Sequence, residues 1–117
     1  MTIGCFDILH EGHINHLEHA RFLGNYLVVA LYTDKVIASY KQPPALSFNT
    51  RRIVLESLSV VSEVVRLDER RFVRLIKSVK PNLLAVGLEW GTGEIYKEAE
   101  ELVDVVRIPY TEGISSS

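Results

Sequence analysis

The chain has 117 residues, 47% apolar and 24% charged, with a formal net charge of −2 at pH 7. That length suits one domain with a single core, and so even a charge balance argues against a broad nucleic-acid or membrane surface. One cysteine excludes an internal disulfide, and no apolar run reads as a membrane span or a signal peptide, so a cytoplasmic, reducing setting is expected.

The first predicted element is a short apolar strand over residues 1–5. It runs into Gly4-Cys5-Phe6-Asp7-Ile8-Leu9-His10-Glu11-Gly12-His13. A helix is predicted over residues 13–23, with Ile14, Leu17 and Ala20 on one face and Gly24 as its stop. A strand, a loop and a helix start would together place two imidazoles and several N–H groups where an anion is favoured. Imidazole donates well to a phosphate oxygen and can change charge near neutral pH. His10, His13, His16 and His19 recur every three residues, but such steps rotate around a helix. His16 and His19 therefore read as surface residues, with no metal site expected. Cys5, at the end of a buried strand, reads as packing.

Strands are predicted over residues 27–32, 63–67, 83–87 and 103–108, whose near-continuous apolar character suits a parallel sheet covered on both faces. Between them, Asn49 is expected to cap a helix to about residue 60, with Ile53, Leu55 and Leu58 turned to the core. Helices over residues 69–79, closed by Lys80-Pro81, and 94–102 complete the set. The alternation predicts a Rossmann-like three-layer α/β/α sandwich with a five-stranded parallel sheet, residues 1–117 forming one domain. A further helix is expected to begin where the chain stops, at Ser117.

Two loops are expected at the carboxyl edge of that sheet, where ligands bind. Residues 39–48 carry Pro43-Pro44 and read as a lid, with Lys41 either a phosphate clamp or a solvated charge. Residues 87–93 hold Gly87, Glu89 and Trp90, which either recognise a base or, for Trp90, plug the core edge. Arg51 is a candidate for a bidentate phosphate contact, the alternative being a solvated basic turn. Asp7 either orients its loop or lies near a metal, and its plainer role is a carboxylate bonded to backbone. Thr111-Glu112-Gly113-Ile114-Ser115-Ser116-Ser117 suits a loop-to-helix start on which N–H groups and hydroxyls converge on phosphate. On composition alone it is a polar tail.

Residues 4–13 resemble the G-x-F-D-x-x-H-x-G-H segment of cytidylyltransferase-like nucleotidyltransferases, which share HxGH with class I aminoacyl-tRNA synthetases. Residues 111–117 are similar to the R-T-x-G-I-S-T-T segment of glycerol-3-phosphate cytidylyltransferases. They match at Thr111, Gly113, Ile114 and Ser115, with serine for threonine at Ser116 and Ser117. Tyr110 and Ser59 stand where that family has arginines, and only Lys41 represents its two loop lysines. The spacing from Asp34 to Arg51 resembles the glycerol enzymes. Gly4-Cys5-Phe6-Asp7 is similar to the heptose and ethanolamine-phosphate branches.

The resemblance implies transfer of CMP from CTP to a phosphorylated small alcohol, glycerol 3-phosphate first, with release of pyrophosphate. Mg²⁺ would accompany the triphosphate, and a homodimer is implied. His10, His13 and Lys41 would be catalytic. Gly4, Cys5, Phe6, Asp7, Gly12, Arg51, Gly87, Glu89, Trp90, Thr111, Gly113, Ile114, Ser115 and Ser116 would hold the nucleotide. Two alternatives stay open. One is an adenylyltransferase using ATP on a heptose 1-phosphate or flavin phosphate. The other is a nucleotide-binding relative that no longer turns over.

Overall fold

The computed structural model describes residues 1–87 and 94–109. At its centre lies β1 (Thr2–Gly4), flanked by β2 (Val28–Tyr32) on one side and β4 (Leu83–Gly87) on the other. β3 (Glu63–Leu67) and β5 (Asp104–Ile108) close the two edges, giving the order β3-β2-β1-β4-β5 with every pairing parallel. This is the expected Rossmann-like sandwich. Its strand order reverses between β1 and β4, so the two carboxyl ends beside each other there frame the crevice that ligands use in such sheets.

Among the described residues five helices cover the sheet: α1 (Glu11–Phe22), α2 (Asp34–Ala38), α3 (Phe48–Glu56), α4 (Val73–Val79) and α5 (Glu94–Glu100). Alternation along β2 divides the core. Val29 and Leu31 pack with Leu17 and Ala20 of α1 and Leu55 of α3. Val28, Ala30 and Tyr32 pack on the other face with Val36 and Ile37 of α2, Ile76 of α4 and Ala99 of α5. A strand buried on both faces needs apolar residues at every position, which is why β2 reads as a continuous run.

The helix ends differ from expectation. α1 begins at Glu11, two residues before the predicted start, because His10 caps it. Its C-cap, Leu23, is right-handed, so Gly24 is not needed for a left-handed stop. α3 is capped by Ser47, whose hydroxyl accepts from the Thr50 N–H, rather than by Asn49, and it ends at Glu56. Ile53 consequently faces solvent at 58% exposure, while Leu55 is buried. α4 starts at Val73 rather than residue 69, and closes on Lys80 in the left-handed region at φ 54°. The five-residue α2, capped by the Thr33 hydroxyl, is too short to show a helical period in sequence.

His16 is also not the surface residue expected. It lies half-buried beneath α1, with Nε2 2.9 Å from Thr2 Oγ1. The Thr2 hydroxyl donates to the Ala85 carbonyl at 2.8 Å, so it accepts from His16. His19 is exposed as expected.

Candidate functional site

The site is built where β1 turns into α1. Phe6 takes a left-handed conformation, φ 45°, and its buried ring folds back under Gly4. A Cβ on Gly4 would lie 2.8 Å from Phe6 Cε2, so glycine here makes room for the ring. The other edge of Phe6 meets the His13 ring at a centroid distance of 5.8 Å.

His10 occupies the N-cap of α1, a position usually held by serine, threonine, aspartate or asparagine. Its Nδ1 accepts the Gly12 backbone N–H at 3.0 Å, while His13 Nδ1 accepts the His10 N–H at 3.3 Å. The pair thus forms a reciprocal capping box out of two imidazoles. Gly12 is required by this packing, since a Cβ there would lie 2.8 Å from His10 Cε1. The ring centroids are 4.1 Å apart.

The bonds dictate the tautomers. An Nδ1 that accepts a backbone N–H carries no proton, so each neutral ring carries its hydrogen on Nε2, on the far side from the helix backbone. Burial lowers the His13 pKa to about 4, with repulsion from His10 and His16 adding to the effect. The result is an uncharged donor at a helix end that itself favours anions.

Asp7 is bonded to backbone. Its two oxygens accept from the Ala45 and Leu46 N–H groups at 2.7 and 2.9 Å. Burial pushes its pKa up, but those two bonds and the charges of Arg51 and Lys41 outweigh that and hold it below the usual carboxylate value. The loop over residues 39–48 is therefore anchored at 45–46, and exposed Lys41 lies near enough to act on Asp7 electrostatically.

Arg51 is 1% exposed. Its Nε donates to the Leu46 carbonyl at 3.0 Å, and Nη1 donates to the Cys5 and Tyr32 carbonyls, each at 2.9 Å. Nη2 pairs with Asp34. Four of the five guanidinium hydrogens are thereby used, which leaves no pair for the expected bidentate phosphate contact. Arg51 is the rivet joining the carboxyl ends of β1 and β2 to the loop. The Asp34-to-Arg51 spacing is accordingly that of an ion pair.

A second cluster, not anticipated from sequence, gathers at the same edge of the sheet on its other face. Cys5 Sγ and the Tyr40 hydroxyl share a hydrogen bond at 3.1 Å. The Arg70 guanidinium lies 3.7 Å from the Tyr40 ring centroid, and the Tyr32 hydroxyl donates to the Arg70 carbonyl at 3.0 Å. Tyr96 of α5 packs on Phe72 with centroids 5.2 Å apart, close enough to Arg70 to feel its charge. The only sequence signal was the placement of Tyr40 and Arg70 in connections that leave carboxyl ends of strands.

Gly87 ends β4, half-buried, beside this edge. Glu89, Trp90, Thr111, Gly113, Ile114, Ser115 and Ser116 lie outside the described residues. Among the described residues no three His, Cys, Asp or Glu side chains are grouped to hold a metal ion, and no helix is long and apolar enough to cross a membrane.

Residues 1–117 match a family model described as cytidylyltransferase-like. Curated relatives include the bifunctional protein HldE of Vibrio cholerae, 39% identical over 122 residues that take in 100% of this chain and 26% of that protein. The protein of the same name from Helicobacter pylori is 40% identical over 119 residues, 99% of this chain and 25% of that one. The chain thus spans about a quarter of the length of these relatives. Among solved structures, the lipopolysaccharide core biosynthesis protein from Thermoplasma volcanium superposes with a TM-score of 0.85 at 28% identity, over 96% of each chain. A protein with unknown function from Archaeoglobus fulgidus shares the fold, with a TM-score of 0.64 at 18% identity over 95% of this chain and 99% of that one.

Proposed function

The chain belongs to the cytidylyltransferase-like family, and from that premise we propose that it joins a nucleoside monophosphate to a phosphorylated sugar or polyol with release of pyrophosphate. The observation that carries this reading is the imidazole pair: two Nδ1 atoms that accept backbone N–H groups, and hence two Nε2–H donors, at the start of α1.

An oxygen of the acceptor phosphate attacks the α-phosphorus in line, forming a new P–O bond. The bond from that phosphorus to the α–β bridging oxygen breaks, and its electron pair leaves with pyrophosphate. No covalent enzyme intermediate is needed, so the protein's work is positioning and charge stabilisation. His10 and His13 donate to α- and β-phosphate oxygens, and Lys41 screens charge from the loop. Thr111, Gly113, Ile114, Ser115 and Ser116 grip the outer phosphates, while Glu89 and Trp90 meet the base. These last roles rest on the resemblance.

Mg²⁺ arrives with the triphosphate in this reading. Both Asp7 oxygens already accept backbone N–H groups, which fits a cation carried on phosphate oxygens rather than in a cage of side chains. When bound, it would offset charge moving onto pyrophosphate.

A sugar phosphate is the favoured acceptor. The solved relative from Thermoplasma volcanium is a lipopolysaccharide core biosynthesis protein, which points to saccharide chemistry, and Gly4-Cys5-Phe6-Asp7 resembles the heptose branch. CTP with glycerol 3-phosphate is the second reading, supported by residues 111–115. A homodimer is proposed on the resemblance, and a cytoplasmic setting on the single cysteine and the sequence's lack of a membrane-span or signal-peptide pattern.

The test is pyrophosphate release with ATP or CTP, Mg²⁺, and a panel including heptose 1-phosphate and glycerol 3-phosphate, with His13→Ala as blank. Release with one nucleotide and one acceptor is expected. Nucleotide binding with silence across the panel would sink the catalytic reading in favour of an impaired relative.

A further inference from the structure

The cluster around Cys5 uses nothing that the imidazole pair needs. The two groups sit on opposite faces of the same strand end. Cys5 packs with the core beneath α2, α4 and α5, whereas Phe6, touching His13, packs with the core beneath α1 and α3. Cys5, Tyr40 and Arg70 come from the connections that leave β1, β2 and β3, and Tyr96 from the first turn of α5.

Within this group Arg70 is unusual. Arg52, Arg66, Arg71, Arg74 and Arg107 pair with carboxylates, Arg21 donates to the Gly24 carbonyl, and Arg51 is the buried rivet. Among the described residues the Arg70 guanidinium has neither an ion pair nor a hydrogen bond, although its Cζ is seated over the Tyr40 ring, 3.7 Å from the centroid. The Tyr96 hydroxyl is likewise without a hydrogen-bond partner among the described residues. A planar cation pre-organised by stacking, with its full fork of donors unshared, matches the oxygens of a phosphate. Phenol hydroxyls beside it can donate to or accept from an alcohol, and their ring edges suit its carbon skeleton. Tyrosine hydroxyls are protonated at neutral pH in any case, and burial raises the Tyr40 and Tyr96 pKa values further.

We propose that Arg70, Tyr40 and Tyr96 form the acceptor subsite, in which Arg70 binds the phosphate of a polyol or sugar phosphate monoester and the two tyrosines bind its hydroxyls. The proposal rests on the nucleotidyl-transfer reading for its place in the reaction. An in-line displacement needs the attacking group and the leaving group on opposite sides of the α-phosphorus. The imidazole pair on one face of the β1 end and Arg70 on the other supply that separation.

Cys5 is the chain's one cysteine, so its alkylation by iodoacetamide reports on the subsite directly and without turnover. Inorganic phosphate, glycerol 3-phosphate and glucose 1-phosphate are the probes. At least one should slow alkylation of the wild-type chain. Arg70→Ala should raise the concentration needed for half-protection roughly 10-fold or more, the scale of one charge-assisted contact. Tyr96→Phe, which removes only a hydroxyl, should raise it about 3- to 10-fold for the alcohol phosphates and leave inorganic phosphate unchanged. Arg70 is exposed, so its loss does not threaten folding.

Failure to protect at millimolar concentration by every probe, or equal protection in Arg70→Ala, overturns the subsite. So does pyrophosphate release by Arg70→Ala with a wild-type KM for the acceptor, and that result leaves nucleotidyl transfer standing. Protection that depends on Arg70, with no pyrophosphate released from any nucleotide, supports the subsite and rejects the transfer reaction.

Discussion

His10 Nδ1 accepts the backbone N–H of Gly12 at 3.0 Å, and the absence of a Cβ at Gly12 is what lets the ring lie there. The glycine of the HxGH segment thus serves the first histidine, by leaving space for it, more than it serves the backbone. It sits inside α1, where glycine is otherwise unfavourable.

Gly12→Ala separates these roles. The new Cβ would meet His10 Cε1 at 2.8 Å and push the ring off its cap. Losing the cap costs about 1 kcal/mol, and alanine's better helix propensity returns about 1 kcal/mol. The melting temperature should therefore hardly move, while kcat for pyrophosphate release falls about 10- to 100-fold through misplacement of the donor.

His10→Asn keeps a capping oxygen but removes the Nε2–H. Thermal stability should stay near wild type and turnover should drop ~100-fold or more, as when an oxyanion donor is lost. His10→Ala should show the same drop in turnover together with a stability loss of about 1 kcal/mol. Equal stability for the two variants would mean that His10 does not cap α1.

Arg51→Ala should be a folding defect. It would strand the Leu46, Cys5 and Tyr32 carbonyls and leave Asp34 unpaired. Each buried carbonyl left without its donor costs about 1–3 kcal/mol, while the exposed Asp34 carboxylate is screened by water and adds little, so the urea midpoint should fall sharply. Arg51→Lys should restore little, since one ammonium cannot span four acceptors. A variant that folds normally but has lost only nucleotide affinity would contradict the rivet.

The His13 pKa, lowered to about 4 by burial and by its histidine neighbours, sets a pH dependence. Between that value and the ordinary value near ~6.5, the unfolded chain binds the proton more readily than the folded one. Stability from this group is complete above pH ~6.5 and is lost as pH falls toward 4. His16, whose pKa burial also lowers, acts in the same direction. The urea midpoint should therefore decline from pH 7 to pH 5, and less steeply in His13→Gln.

Strands were the most legible part of this chain. β3 and β4 have the bounds expected, because short apolar runs between turn residues have few alternative arrangements. The histidine segment was legible as chemistry but not as structure. Its i, i+3 spacing is that of a capping box, hidden because imidazoles stand where a hydroxyl and a carboxylate are usual. Arg51 is legible as a charge but not as a rivet, since a sequence window misses the acceptors that Cys5, Tyr32 and Asp34 bring to it from at least 17 positions away. Tyr40, Arg70 and Tyr96 are hidden in the sequence for the same reason. They lie 30 and 26 positions apart, and only the parallel topology gathers their connections at one edge.

The loop after α2 is tied at two places. At one foot Tyr40 is held by Cys5 and Arg70. At the other, Ala45 and Leu46 are bonded to Asp7. Lys41-Gln42-Pro43-Pro44 is thus a four-residue arch between fixed abutments, with two prolines to limit its shapes. Such an arch is a replaceable cassette. Its charge and length, Lys41 included, can be exchanged for those of another chain without disturbing either footing, so the reach of the loop can change while the sheet edge beneath it stays as it is.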